Sequence, residues 1–159
     1  MLKNLPDPKK IIKDVKKKNF VIYKNVINKK DIRKIKNFWI DFFSNESRFK
    51  SKDIYSDTKS LGDDNYNSYR REKKVVMFRR SEFPWNKTIH KPTQEIIFEL
   101  NKIRNLALGL HENHGLLYSS DLEVLFSQIN NYPENDGKMS SHKDTKKNEL
   151  LLNCMFNIT

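Results

Sequence analysis

The stretch from Gln128 to Asp144 reads QINNYPENDGKMSSHKD, and it carries the strongest indication of the fold. A β-branched and polar run ends in a Tyr-Pro pair that begins at Tyr132. A turn containing a glycine follows, and an H-x-D triplet then places His142 two residues before Asp144. The order of local structure is therefore strand, turn and a pair of polar side chains on an extended segment.

Two further segments flank this stretch and are predicted to be strands. Residues 121–131 alternate apolar and polar side chains, and residues 150–158 are apolar enough for a strand that is buried on both faces. We expect them to be antiparallel neighbours in one sheet, joined by the loop that presents His142 and Asp144.

The H-x-D triplet matters because side chains alternate along an extended chain, so an imidazole and a carboxylate two residues apart lie on the same side. Two such ligands can occupy adjacent corners of a metal site. With one further histidine they form the facial triad of non-haem Fe(II) oxygenases, which leaves positions open for co-substrate and oxygen.

This order of strand, Tyr-Pro, glycine-bearing turn, H-x-D and strand resembles the Fe(II)/2-oxoglutarate-dependent oxygenases, and within them the prolyl-4-hydroxylase-like branch. Residues 20–43 are similar to the strand and amphipathic helix that open this superfamily, and phytanoyl-CoA dioxygenase-like proteins begin in the same way. The resemblance covers roughly residues 20–43 and 121–159, and the region between them carries no matching motif.

The resemblance implies a fold, a cofactor and a site. His142 and Asp144 match the first two ligands of Fe(II), and Tyr132 matches a tyrosine that hydrogen-bonds the co-substrate 2-oxoglutarate. The implied fold is α+β, with N-terminal helices packed on the first half of a double-stranded β-helix of the jelly-roll, cupin-like kind. The implied activity is that of a dioxygenase, an oxidoreductase that hydroxylates a small-molecule or peptidyl substrate.

Two of the superfamily's groups have no counterpart here. No histidine follows His142, and no lysine or arginine follows Lys147, so the distal iron ligand and the basic residue for 2-oxoglutarate are missing. We therefore expect a fragment: one incomplete oxygenase domain over residues 1–159, with a helical support region (1–120) and the start of the β-helix core (121–159). The fragment alone should be inactive, and a full-length parent should supply both groups.

The remaining elements follow from periodicity and caps. Apolar spacings of three and four residues predict two long helices, one from Lys29 to Phe43 and one that Thr93 caps. We expect both to pack their apolar faces on the outside of the sheet. The other expectations are a helix over 7–18, strands over 20–27 and 74–78, and a long surface loop over 44–71.

The net charge is +11, from 31 basic and 20 acidic residues. One explanation is a nucleic-acid-binding surface, and the other is AT-rich coding, because 24 of the basic residues are lysine. The alternative functions are therefore a small basic nucleic-acid-binding module or a catalytically inactive oxygenase-like protein. Such a module would use interleaved aromatic and basic side chains. They are Tyr66, Tyr69, Arg70, Arg71, Lys73 and Lys74.

The other histidines are weaker candidates for a metal. His90 is expected in a loop, and His111 and His114 lie one helical turn apart at the end of the long helix. That spacing suits a metal, but histidine near a helix C-terminus is also favoured by the helix dipole. These three are the remaining candidates for a third iron ligand.

Composition excludes several classes. Only one cysteine, Cys154, is present, which excludes a disulfide framework and a cysteine-based zinc site. No run of 18 apolar residues occurs, and the first 18 residues lack the apolar core of a signal peptide. We therefore expect a cytoplasmic protein without a membrane partner.

Overall fold

The computed structural model describes residues 2–45, 47, 50–51, 66–72, 75–116, 127–135 and 137–139. Within these residues the fold is α+β, as predicted, with three helices and a small, mainly antiparallel sheet. The helices are α1 (Pro8–Lys18), α2 (Lys29–Ser44) and α3 (Lys91–Ala107). The strands are β1 (Lys50–Ser51), β2 (Tyr66–Glu72), β3 (Val75–Glu82), β4 (Ser127–Asn131) and β5 (Lys138–Met139). None of the described helices is long and apolar enough to cross a bilayer.

The first two helices begin at polar N-cap residues, Asp7 and Asn28. The Asp7 carboxylate accepts a 2.8 Å hydrogen bond from the backbone N–H of Lys9, and Pro8 occupies the first helical position. The Asn28 side chain accepts a 2.8 Å bond from the N–H of Asp31. These bonds satisfy helix-terminal donors, and the predicted helices over 7–18 and 29–43 are confirmed.

The central strand of the sheet is β3. It pairs antiparallel with β2 along its whole length on one edge, and β1 adds to the far side of β2 in a parallel direction. Both β4 and β5 pair antiparallel with β3 on its other edge. The strand predicted over 121–131 is confirmed for Ser127–Asn131, and its remaining residues lie outside the described part of the chain.

The core lies between the helices and one face of the sheet. The side chains of Ile35, Trp39, Ile96 and Phe78 are each at most 7% exposed and form one cluster. Tyr69, Leu100 and Ile129 are among the partly buried residues packed against it. The prediction that the two long helices pack their apolar faces on the sheet is therefore confirmed.

The predicted strand over 20–27 is wrong. Phe20 and Ile22 are 70% and 73% exposed, and Asn25 turns the backbone with φ of +58°. The carbonyl of Val26 accepts a 2.7 Å bond from the N–H of Lys3. Strand propensity expresses the fit of a side chain to a paired, half-buried surface, and this segment has no such partner among the described residues.

The predicted loop over 44–71 is also wrong where it is described, because β1 and β2 lie within it. The residues of β2 are mostly polar, so they lack the apolar alternation by which strands are recognised. Ladder bonds to β3 hold the strand in place, and Tyr69 is its contribution to the main core cluster. The strand β3 also extends beyond its predicted end at Phe78 and reaches Glu82.

The third helix begins three residues earlier than predicted. Its N-cap is His90, which makes no capping bond with its side chain, and a proline follows in the first turn. Thr93 lies inside the helix, and its hydroxyl accepts a 2.8 Å bond from Trp39 Nε1. The threonine that the sequence presents as a cap therefore joins two helices instead.

Candidate metal and co-substrate site

The predicted iron ligands, His142 and Asp144, lie outside the described residues, as does the predicted strand over 150–158. Tyr132, the predicted co-substrate residue, is described. It follows β4 directly and is 42% exposed. The described residues include the approach to the H-x-D segment and the sheet that supports it.

The segment from β4 to β5 behaves as one interrupted strand. Asn131 pairs with Phe78, and Lys138 pairs with Val76, so residues 132–137 leave and rejoin the same edge of β3. This excursion accommodates extra residues opposite a single position of the partner strand, as a large bulge does. The chain has therefore rejoined the sheet at β5, and Met139 lies three residues before His142, the first residue of the H-x-D triplet.

A glycine closes this excursion. The N–H of Gly137 donates a 2.6 Å bond to the carbonyl of Pro133. A Cβ atom on Gly137 would lie 2.6 Å from Pro133 N and would also collide with the carbonyl groups of Tyr132 and Pro133. A larger residue cannot fit without moving the backbone, so the glycine in the motif has a steric role.

The face of the sheet opposite the helices combines buried polar side chains with the buried Met77. Phe78 belongs to the core on the helix side, so alternation along β3 places Arg79 and Ser81 on the other face. Ser68 and Asn130 are the partners of Arg79 on the two neighbouring strands and share that face. Arg79 is 8% exposed, and both serines are 0% exposed.

This polar face contains donors that suit an anion. Arg79 Nε donates a 2.9 Å bond to Asn130 Oδ1, while the hydroxyls of Ser68 and Ser81 have no hydrogen-bond partner. A buried hydroxyl without a partner costs roughly 1–3 kcal/mol, so such groups are usually satisfied by a water or a ligand. Sequence reasoning missed these residues, because their shared face follows from strand register.

On the helix side the charged residues are already paired. Arg80 Nε lies 3.2 Å from Glu82 Oε1, and Arg80 also donates a 3.2 Å bond to Asn67. The second carboxylate oxygen of Glu82 accepts a 2.6 Å bond from Thr88. This network ties the turn after β3 to the sheet, so we assign it a structural role.

His90 is part of the packing between α2 and α3. Its ring stacks on Phe38 with centroids 4.0 Å apart, and its Nδ1 lies 2.8 Å from Thr93 Oγ1. Since Trp39 can only donate to that oxygen, the Thr93 hydroxyl is free to donate to the neutral imidazole. His90 therefore lies in the loop before α3, as expected, and its ring also packs between the two helices.

Burial lowers the pKa of His90, and the nearby Glu82 opposes this shift only in part. The unfolded chain then binds the proton at a higher pH than the folded chain does. We expect full stability above the unfolded value near 6.5 and a decline as pH falls through the depressed folded pKa. Urea unfolding at several pH values between 8 and 5 measures this, and His90→Gln should flatten the decline. An equally steep decline in that variant would contradict the assignment to His90.

The other two histidines lie beyond α3, contrary to the prediction that they end it. His111 is exposed, and its Nδ1 accepts a 3.2 Å bond from the N–H of Asn113. The N–H of His114 donates a 2.9 Å bond to the His111 carbonyl within a turn. Among the described residues, no group of three or more histidine, cysteine or acidic side chains is arranged to hold a metal ion.

The aromatic and basic segment that begins at Tyr66 is partly a core element. The ring of Tyr69 stacks on Phe78 with centroids 4.6 Å apart and an interplanar angle of 20°. A ring that is packed against the sheet in this way cannot also stack on a nucleotide base. The predicted stacking role of Tyr69 is therefore wrong, and the side chains of Arg70, Arg71, Lys73 and Lys74 lie outside the described part.

Comparisons with known proteins add no neighbour to this description. No family model, no curated protein and no solved structure matches the chain.

Proposed function

We propose that this chain is part of an Fe(II)/2-oxoglutarate-dependent dioxygenase of the prolyl-4-hydroxylase-like or phytanoyl-CoA dioxygenase-like kind. In this proposal His142 and Asp144 are two of the three iron ligands, and Tyr132 contacts the co-substrate. The sheet is then the first half of a double-stranded β-helix, with the helices on its outer face. Bound iron would supply the oxidising chemistry that couples 2-oxoglutarate decarboxylation to substrate hydroxylation.

The observation that carries the proposal is the path of the chain before the H-x-D triplet. The strand β4 leads into Tyr132. Gly137, where a Cβ atom would collide with the backbone, closes the excursion, and β5 then pairs with the same edge of β3. An extended segment that leaves β5 would hold His142 and Asp144 on one side of the chain. A site on a strand of a sheet is held more precisely than one on a free loop.

The polar face of the sheet supports the same proposal. The co-substrate is a dicarboxylate, and the guanidinium of Arg79 together with two partnerless hydroxyls, those of Ser68 and Ser81, suits a carboxylate. This face lies opposite the helices, where the interior of a double-stranded β-helix would be. The residues present therefore fit the chemistry of the group.

The proposal is tested by metal binding under anaerobic conditions. We expect the 159-residue chain to bind Fe(II) weakly, because two protein ligands leave the ion under-coordinated. The double variant His142→Ala/Asp144→Ala should lower the affinity by about tenfold or more in equilibrium dialysis. The matched control is His111→Ala/His114→Ala, which removes one exposed and one half-buried imidazole and should leave binding unchanged.

Activity provides the second readout. We expect no succinate from the 159-residue chain and iron-dependent succinate formation from a parent that supplies the third ligand. Loss of Fe(II) binding in the control variant, with binding intact in the first variant, would show that the ligands are misassigned. Binding without turnover by the parent would favour the inactive, oxygenase-like alternative.

A further inference from the structure

The positive charge of the chain is concentrated in its first 36 residues. This segment holds 13 of the 31 basic residues but only 3 of the 20 acidic ones, a net charge of +10. Residues 37–159 hold 18 basic and 17 acidic residues, a net charge of +1. Almost the entire excess of +11 therefore belongs to α1, the start of α2 and the segment that joins them.

All 13 basic side chains of this segment are exposed. None of them forms an ion pair within the part of the chain that the structure describes. On α1, Lys9, Lys13 and Lys16 recur with helical spacing, while Ile11 is buried. On α2, Lys30, Arg33 and Lys34 recur in the same way, while the face of that helix containing Trp39 is in the core. We call the exposed basic side chains between Lys3 and Lys36 the basic helical surface.

Coding bias explains part of this composition but not its position. AT-rich codons favour lysine over arginine along the whole chain. They do not account for the concentration of basic residues in one segment, since 13 of the first 36 residues are basic, whereas the other 123 residues hold 18 basic residues and are almost neutral. The uncompensated repulsion among these cations lowers the stability of the monomer, so an anionic partner is the simplest reason to retain it.

We propose that the basic helical surface binds single-stranded nucleic acid, with its lysines on the phosphates and Phe20 stacked on a base. Phe20 lies two residues after Lys18, the last of the lysines that end α1, and is 70% exposed. An exposed aromatic ring beside a cationic groove is the usual platform for an unpaired base, and bases within a duplex are not accessible to it. This proposal is independent of the dioxygenase activity.

An anionic membrane is the competing partner, and the structure favours it less. Amphipathic helices that lie on membranes insert an apolar face between the lipids. In α1 the buried residue is Ile11, and α2 uses Ile35 and Trp39 in the core. Neither helix therefore keeps its apolar side free for lipid.

The test compares three triple variants of equal net charge. These are Lys9→Gln/Lys13→Gln/Lys16→Gln, Lys30→Gln/Arg33→Gln/Lys34→Gln, and the control Lys87→Gln/Lys91→Gln/Lys102→Gln. Binding of a fluorescent 30-mer single strand is measured from 50 to 200 mM salt. With about six phosphates contacted, the logarithmic salt slope should be about −4.2 and affinity should fall about 300-fold over that range. The first two variants should each reduce the magnitude of this slope by about 2, and the control should leave it unchanged.

Two single variants separate stacking from charge. Phe20→Ala should weaken binding to the single strand about tenfold without changing the salt slope. Ile22→Ala is its matched control, because Ile22 is 73% exposed but has no aromatic face, and it should bind normally. Circular dichroism confirms that each variant is folded, and glutamine is a good helix former.

The outcomes that would overturn the proposal are specific. An equal loss of affinity in the control triple variant would show attraction to overall charge alone. Tighter binding to a duplex of the same length, or a duplex affinity that also depends on Phe20, would exclude the single-stranded mode. Binding to vesicles containing phosphatidylserine, with no binding to either nucleic acid, would assign the surface to membranes.

Discussion

Trp39→Ala is expected to destabilise the folded state by about 3–5 kcal/mol, the largest effect of any single substitution that we predict. Trp39 is 3% exposed and meets Phe38 and Phe42 edge to face at centroid distances of 5.1 and 5.4 Å. Its removal leaves a large cavity between α2 and the sheet and withdraws the Nε1 donor from Thr93. Natural domains of this size are stable by only about 5–15 kcal/mol, so the variant should be close to unfolding.

Urea unfolding followed by circular dichroism measures this loss. Ile40→Ala is the matched control, because Ile40 is the next residue on α2 and is 55% exposed. It should change the free energy of unfolding by about 0.5 kcal/mol or less. Trp39→Phe retains most of the apolar volume but lacks the donor, so it should lose about 1–2 kcal/mol. Similar losses for Trp39→Ala and Ile40→Ala would show that the cluster described around Trp39 is not the core.

Asn105→Ala is expected to destabilise the protein by about 2–3 kcal/mol, because it breaks a buried connection between α3 and the turn that follows. Asn105 is 0% exposed, and its Nδ2 donates 2.9 Å bonds to the carbonyls of both Glu112 and His114. Without this side chain both carbonyls lose a partner in a part-buried position. The turn should then open, and amides of residues 110–116 should exchange hydrogen faster than those of α3.

Asn101→Ala is the control for this prediction. Asn101 lies one turn earlier on the same helix and is half-buried. Because alanine is the better helix former, that variant should be neutral or slightly more stable. Hydrogen exchange and urea unfolding on both variants separate a local effect on the turn from general damage to the helix. Equal protection of residues 110–116 in both variants would refute the role assigned to Asn105.

Local patterns were sufficient for the helices. Apolar spacings of three and four residues predict α2 nearly to the residue, and the helix expected over 7–18 coincides with α1. Helical periodicity and capping are properties of neighbouring residues, so they can be read without knowing what the helix packs against. The same holds for the steric requirement at Gly137, whose neighbours in the structure are residues close in sequence.

The sheet depended on contacts between distant residues, and there the sequence was misleading. Residues 20–27 have strand-forming side chains but no strand partner among the described residues, whereas the polar residues of β2 form a strand because β3 lies beside them. A strand is completed by hydrogen bonds to another part of the chain, which its own residues do not specify.

The sequence by itself therefore determined the α+β class, the first two helices, the H-x-D motif and the segregation of charge into the first 36 residues. Only the tertiary structure decided that Ser68, Arg79 and Asn130 share one face, that Tyr69 is in the core, and that His90 joins two helices. The reason is physical. Composition and short-range spacing are encoded locally, whereas strand register and burial arise only when segments that are far apart in the chain pack against each other.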